Sequence, residues 1–320
     1  MINDMKKNKM MLTFIGFLGC VLINASCSNK AELISPYETY TAVPKTVVGT
    51  KLVEHTDLVA SISSDTTYTV IPGVEATEIQ YLSSTGLAMK AFVCEVDLSN
   101  SAIKIEVSTP KNLPAFGLQQ MTKQATYEDA AGHKVWAGIN ADFFNTTNGT
   151  PQGILYKEGL AIKTTVTDAI NTFFAITSDG KAIIGDQEKY ALVKNTLREA
   201  VGGRVTLLKE GIAPPQTDKK LEPRTCIGVN QDGTKVYMFV VDGRRFHYSN
   251  GMNYDDMAKV MSALGAYDAI NLDGGGSSTF FVRNTPGFEE GRFVLRNWPY
   301  DNGGYERAVA NGLLVISTAN

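Results

Sequence analysis

Five stretches of this sequence run an apolar segment against a polar or charged end: GINADFFN (138–145), EPRTCIGV (222–229), VVDGRR (240–245), INLDGGGSS (270–278) and YERAVAN (305–311). Between them they carry the acids Asp142, Asp242, Asp273 and Glu306 and the arginines Arg224, Arg244 and Arg307. Loops at strand ends are where a scaffold displays binding and catalytic groups. Carboxylates there can do acid/base work, and arginine's planar fork suits anions. One such interruption is common by chance; five in one chain ask for an explanation.

Each stretch also has an ordinary reading. Asp242 and Gly243 follow an apolar run, and Asp-Gly signals a hairpin, so locally they read as a turn. Asp142 suits an exposed loop or a helix cap at least as well as catalysis. Arg224 and Arg307 could be surface salt-bridge partners. The run NLDGGGSS resists the flexible-linker reading, because strong β-formers flank it on both sides. Its glycines allow a sharp turn and the close approach of a ligand. Gly274, Gly275, Gly276, Ser277 and Ser278 would offer clustered N–H groups to an anion or a sugar phosphate.

Other chemistries lack their signatures. His55, His133 and His247 are the only histidines, and they do not have metalloprotease spacing. The serine-hydrolase elbow is missing, and the glycine run lacks the Lys-Ser/Thr of a phosphate-binding P-loop. A net charge of −3 gives no electrostatic footprint for nucleic acid. Carboxylate chemistry supported by arginines remains.

The elements that must position these groups are mostly short strands. GLAMKAFVCEVDL and AIKIEVSTP alternate and are expected to form a hairpin. KVWAGIN, TFFAIT, KAIIG, RVTLL, TCIGVN, KVYMFVVDG and ERAVANGLLVIS add further strands. MTKQATYEDAAG reads as a helix, and NYDDMAKVMSALG as an amphipathic one ending at Gly265. The expectation is an α+β fold with a mixed or antiparallel sheet core and a few helices. At 43% hydrophobic, 320 residues suffice for a full core.

Lys6, Lys7 and Lys9 precede an apolar run of 14 residues, the length of a signal-peptide core and short for a membrane span. NASCSNK follows, which resembles a lipoprotein signal and predicts export with Cys27 as a lipidated first residue and membrane contact through that anchor only; an ordinary cleaved signal peptide with an incidental cysteine is the alternative. The expected organisation is 1–27 signal, 28–75 tether and irregular or β-rich arm, 76–130 a small N-terminal subdomain, and 131–320 a catalytic domain. Cys94 and Cys226 remain after the signal, either as one disulfide or as two buried thiols.

The set NADFFN, PRTCIGV, VVDGRR, SNGMNYDDMAKVMSALGAYDAINLDGGGSSTF and ERAVANGLLV, spanning Trp136 to Ile316, resembles the phosphodiester glycosidase family. That resemblance implies hydrolysis of a sugar 1-phosphodiester, such as a GlcNAc-1-phosphate diester, at the anomeric carbon, with a glycan phosphodiester as partner. Asp273 would act at the anomeric centre as nucleophile or electrostatic stabiliser. Glu306 is the first choice of acid/base partner and Asp242 the second. Asp142 ranks below Asp273, because many relatives have small residues after the asparagine. Arg224, Arg244 and Arg307 would hold phosphate, and Asn140 and Asn271 sugar hydroxyls. Phe144, Thr225, Gly243, Ser249 and Gly251 fall in the matching segments as substrate contacts. No cofactor is expected. A metal-dependent phosphodiesterase would instead use Asp142, Asp242 and Asp273 to ligate Ca²⁺ or Mg²⁺. A surface lipoprotein that binds glycan without turnover is the alternative from another class.

Overall fold

Seventeen strands and four α-helices are seen in a computed structural model that describes residues 42–167 and 172–318. The signal-like segment and Cys27 lie outside the described residues. Every strand pairing among the described residues is antiparallel, as the alternating patterns require. The α+β expectation therefore holds, on antiparallel sheets.

The first sheet has seven strands, in the spatial order Val59–Ile71, Val74–Ser83, Ala88–Asp97, Lys235–Val241, Arg224–Val229, Asp268–Asn271 and Val205–Leu208. A second runs Phe293–Leu295, Phe280–Arg283, Lys134–Asn140, Gly312–Ser317 and Ile103–Ser108. The third runs Leu160–Lys163, Leu155–Lys157, Leu197–Gly203, Thr172–Thr177 and Ala182–Gly185. One core joins all three: Phe92 and Met238 from the first, Ile139 and Leu313 from the second, Phe174 and Val201 from the third.

Helix α1 (Val47–His55) and, much further along the chain, the amphipathic helix Tyr254–Leu264 cover the other face of the first sheet. The latter forms where its pattern predicts. The Asn253 side chain accepts from the Asp256 N–H at 2.9 Å, two aspartates complement its N-terminus, and Gly265 ends it at φ +105°. Its Met257, Val260 and Met261 pack with Cys226 and Phe239 of the sheet. Helix α2 (Met121–Glu128) covers the second sheet through Met121 and Ala125.

The structure changes some of these readings and decides between the alternatives of others. In the described part of the expected irregular or β-rich arm, Thr46 caps α1 and a 13-residue strand follows. A boundary at 75/76 would cut Val74–Ser83, and Ala88–Asp97 pairs with Lys235–Val241, so Thr41–Asn320 forms one compact unit. The 130/131 line marks where the recognisable motifs begin, not a break in the fold. The expected hairpin of Ala88–Asp97 with Ile103–Ser108 does not form; the two strands enter different sheets. Both contribute to the shared core, Phe92 and Cys94 from one and Ile103 and Ile105 from the other. Cys94 and Cys226 are free, buried and separated by the strand between them, with side chains on opposite faces of the first sheet. No disulfide can join them.

Register brings the polar strand ends to one rim. Arg224 lies opposite Val241, Cys226 opposite Asn271, and Asn140 opposite Gly312.

Candidate active site

Asn140 ends a strand of the second sheet and ties the rim together. Its side-chain oxygen accepts from the Thr225 hydroxyl at 2.8 Å and from the Thr279 N–H at 2.9 Å. Its amide nitrogen donates to the Asp273 carbonyl at 2.6 Å. Asn140 and Thr225 thus serve to join two sheets and both ends of the glycine loop, which displaces the expectation that they contact sugar. The main chain repeats the link: Asp273 N–H donates to the Ala141 carbonyl at 2.8 Å and Leu272 N–H to the Thr225 carbonyl at 2.8 Å.

That clamp sets Asp142 and Asp273 beside each other in the chain's electrostatics. Asp142 is buried; its Oδ2 accepts from the Gly153 N–H at 2.7 Å, and its own N–H donates to Asn311 Oδ1 at 2.9 Å. Burial pushes Asp142 up to about 7, and the neighbouring Asp273 charge adds to the rise. Burial lifts Asp273 less, to about 6, because the Ser277 hydroxyl, the Arg307 charge, the Gly274 N–H and the Arg204 charge all favour its carboxylate. Asp273 keeps part of its surface exposed, so it faces the rim while protein encloses most of it. Two acids with separated pKa values can hold and release one proton near neutrality.

The loop itself is a strand, a short 3-10 turn at Gly275–Ser277 and a strand, as its sequence predicts. Its amides do less than expected. Gly275 N–H donates to the Pro223 carbonyl, and those of Ser277 and Ser278 donate back to Gly274 and Gly275. The glycines act by leaving room: a side chain on Gly276 would run into the Arg307 guanidinium, while Gly275, at φ +60°, faces that of Arg244. Gly274 backs onto the Pro223 carbonyl.

Arg244 and Arg307 therefore flank the loop. Arg244 also donates through Nε to Glu222 at 2.6 Å and through Nη1 to Asp301; Arg307 Nη2 lies 3.7 Å from Asp301. Arg224 does not join them. Its guanidinium is buried against the Tyr254 ring at 4.2 Å, donating to the Tyr254 hydroxyl at 2.8 Å and to the Met252 and Lys220 carbonyls. It is a packing arginine between strand and helix, which corrects its assignment to phosphate.

Asp242 and Glu306 are likewise committed elsewhere. The Asp242 carboxylate accepts from Trp298 N–H at 2.8 Å, Asn297 Nδ2 at 3.1 Å and the Tyr248 hydroxyl at 3.0 Å, and no hairpin forms at Asp242–Gly243. Burial still raises it to about 6. Glu306 accepts from the Thr122 hydroxyl at 2.6 Å and the Thr122 N–H at 3.2 Å, at the N-terminus of α2. There it serves the helix, as a carboxylate at that end does. Ser249 bridges the Asp242 carbonyl and Lys90 N–H, while Gly243 and Gly251 pack on the chain at Glu222 and Pro223. Phe144 leans on the core beside α2. Among the described residues the three aspartates a hard cation would need are not gathered at ligand spacing.

Several buried polar atoms around the loop lack a protein partner: Asp142 Oδ1, Asn271 Oδ1, Ser278 Oγ and Asn311 Nδ2. Atoms in that state are ones a ligand or water would satisfy. Sequence reasoning passed over four neighbours. Asn311 sits at the end of a stretch already singled out, and Arg204 follows two glycines at a strand end, the same pattern as the others. Asn297 and Asp301 lie in a stretch without strand signal, and nothing local marks them.

Residues 133–316 match the family model described as phosphodiester glycosidase. The mouse N-acetylglucosamine-1-phosphodiester alpha-N-acetylglucosaminidase is 27% identical over 187 residues, 51% of this chain and 35% of its own length. The chain thus spans about a third of that curated relative. The zebrafish enzyme of the same name, solved as a catalytic domain auto-inhibited by its pro-peptide, aligns at a TM-score of 0.59 and 20% identity. That alignment covers 79% of this chain and 87% of the zebrafish one. A Synechocystis protein aligns at a TM-score of 0.55 and 13% identity over 79% of this chain and 64% of its own. At such identities the structures show a common fold. With the matched segment covering more than half of the sequence and carrying the glycine loop, Asp142 and both flanking arginines, this chain belongs to the phosphodiester glycosidase family.

Proposed function

We propose that the protein hydrolyses a sugar 1-phosphodiester at the anomeric carbon. The observation that carries this reading is the convergence at one glycine loop of two enclosed acids, both held above the ordinary carboxylate range by burial, and two arginines. Cleavage at the anomeric carbon builds oxocarbenium character, which the Asp273 carboxylate stabilises or attacks. Asp142, which holds its proton into the neutral range, takes the acid/base role first assigned to Glu306 and Asp242. The departing group is a phosphate monoester, a far better leaving group than a sugar alkoxide. Cations that hold it therefore matter more than proton donation, and in this reading Arg244 and Arg307, which flank the loop, do so. Asn271 and Asn311 present unpartnered amide atoms suited to sugar hydroxyls.

The purified protein, incubated with a GlcNAc-1-phosphodiester, is expected to release free sugar. Asp273→Asn keeps the size of the side chain while removing its charge, and kcat should fall by at least about a hundredfold with the melting temperature little changed. Binding without release of sugar in the wild-type protein would overturn the reading in favour of a glycan-binding module. The composition of residues 1–27 supports export and attachment to a membrane through Cys27, which we propose as the setting of this activity.

A further inference from the structure

The arginines that flank the glycine loop share an acid from this chain's own sequence. Arg244 donates to Asp301 Oδ2, and Arg307 Nη2 approaches the same oxygen at 3.7 Å. That oxygen would lie 2.8 Å from a Cβ on Gly276, so the carboxylate rests directly on the loop. Neither arginine is deeply buried: their side chains are 37% and 38% exposed, and that of Asp301 is 26% exposed. Two guanidinium groups turned to one oxygen over a bare glycine make a seat for an oxyanion, and a carboxylate is the oxyanion a protein can supply itself.

The segment that brings Asp301 there is held firmly at its ends. At one end, Asn297 donates to the Ser278 carbonyl at 2.9 Å and, with Trp298 N–H, to the buried Asp242 carboxylate. At the other, Glu306 is bound to Thr122 at the start of α2. Between them stand the short turn Tyr300–Asn302 and then Gly303 and Gly304, with φ of 62° and 90°. Tyr300 and Tyr305 are exposed on either side of that span. Asn302 Nδ2 reaches the Gly276 carbonyl only at 3.4 Å, so charge supplies the main tie between the middle of the segment and the loop.

We propose that Asp301 is a specificity-determining residue: it occupies the seat that the substrate's phosphate group takes, and only an anion able to displace its carboxylate gains the two arginines. This rests on the functional reading above and names the phosphate contact of the same site. Neutral glycosides cannot make the exchange, because they offer the arginines nothing in return for Asp301. A phosphodiester brings its own negative charge and two unbridged oxygens, enough to engage both forks. The fixed ends at Asn297 and Glu306 limit the displacement to the span between them, which Gly303 and Gly304 allow to turn.

Inorganic phosphate titrated calorimetrically into the wild-type protein, Asp301→Asn and the double variant Asp301→Asn/Arg307→Gln tests this without turnover. Asp301→Asn should bind phosphate about tenfold more tightly or better, the worth of removing a charge-assisted competitor, and the double variant should lose that gain. Equal phosphate affinity in wild type and Asp301→Asn overturns the proposal, as does a gain that survives loss of Arg307. Release of sugar from the phosphodiester, assayed on the same samples, separates the two claims. Sugar release with unchanged phosphate affinity leaves the glycosidase reading standing and removes Asp301 from it. Tighter phosphate binding with no sugar release in any sample does the reverse.

Discussion

A carboxyl group enclosed by protein keeps its proton to higher pH than one in water, and Asp142 and Asp273 are enclosed to different effect. Burial raises both: Asp273, with the Ser277 hydroxyl and Arg307 opposing it, to about 6, and Asp142, opposed by the Gly153 and Phe143 amides and the Lys163 charge, to about 7. If Asp273 works as a carboxylate and Asp142 as an acid, kcat/KM for the phosphodiester should rise through about 6 and fall through about 7. Asp142→Asn should abolish the alkaline limb while sparing the acid one; an unchanged profile would remove Asp142 from proton transfer. The same shifts act on folding. Both pKa values lie above the unfolded carboxylate range, so from about pH 4 to 7 the native state binds more protons than the unfolded chain. The stabilising contribution of these two carboxyl groups is therefore greatest below that window and declines as pH rises through it. Melting curves of Asp142→Asn across the window should show a shallower decline than wild type.

Elements decide which of those acids meet. Asp273 was legible in the sequence because its own neighbours, three glycines between strands, announce a site. The standing of Asp142 was not, since it depends on Gly202 of the third sheet and on Gly153 in the segment that leads into that sheet. A Cβ on Gly202 would meet Asp142 Oδ2 and the Gly153 backbone, each at 2.6 Å. Gly202→Ala should cost about 1–3 kcal/mol of stability, as overpacking does, and lower activity by shifting Asp142. Denaturant titration with kinetics would show it, and an unaffected variant would mean the sheet has slack there. The helix Tyr254–Leu264 was legible for the opposite reason: cap, acidic first turn, apolar stripe and terminal glycine agree within 13 residues. Asp242, Glu306 and Arg224 carry the same chemistry as Asp273 and Arg307 and lie in equally suggestive stretches. Their partners, Trp298, Thr122 and Tyr254, come from other elements, and only the fold says that these side chains are already taken.

At the scale of the whole molecule, three sheets share one core, and the site lies where the first and second sheets meet. Segments before residue 130, without any recognisable motif, supply three of the seven strands of the first sheet and the edge strand Ile103–Ser108 of the second. Their part in the fold is thus structural support for motifs that begin later. We propose that the N-terminal segment sets where the protein works. Cys27→Ser is expected to move the protein from the membrane fraction to the soluble one; unchanged membrane association in fractionated cells would defeat the lipid-anchor proposal.

The two internal cysteines have a practical corollary. Burial pushes the Cys94 thiol up to about 12 and that of Cys226 well above its usual range, so neither presents a thiolate to reagents near neutral pH. In a preparation starting after Cys27, a single cysteine placed at the exposed Tyr300 would be the one site that takes a maleimide dye. The span that carries Asp301 can then be watched by fluorescence in solution, with no cysteine first having to be removed from the interior.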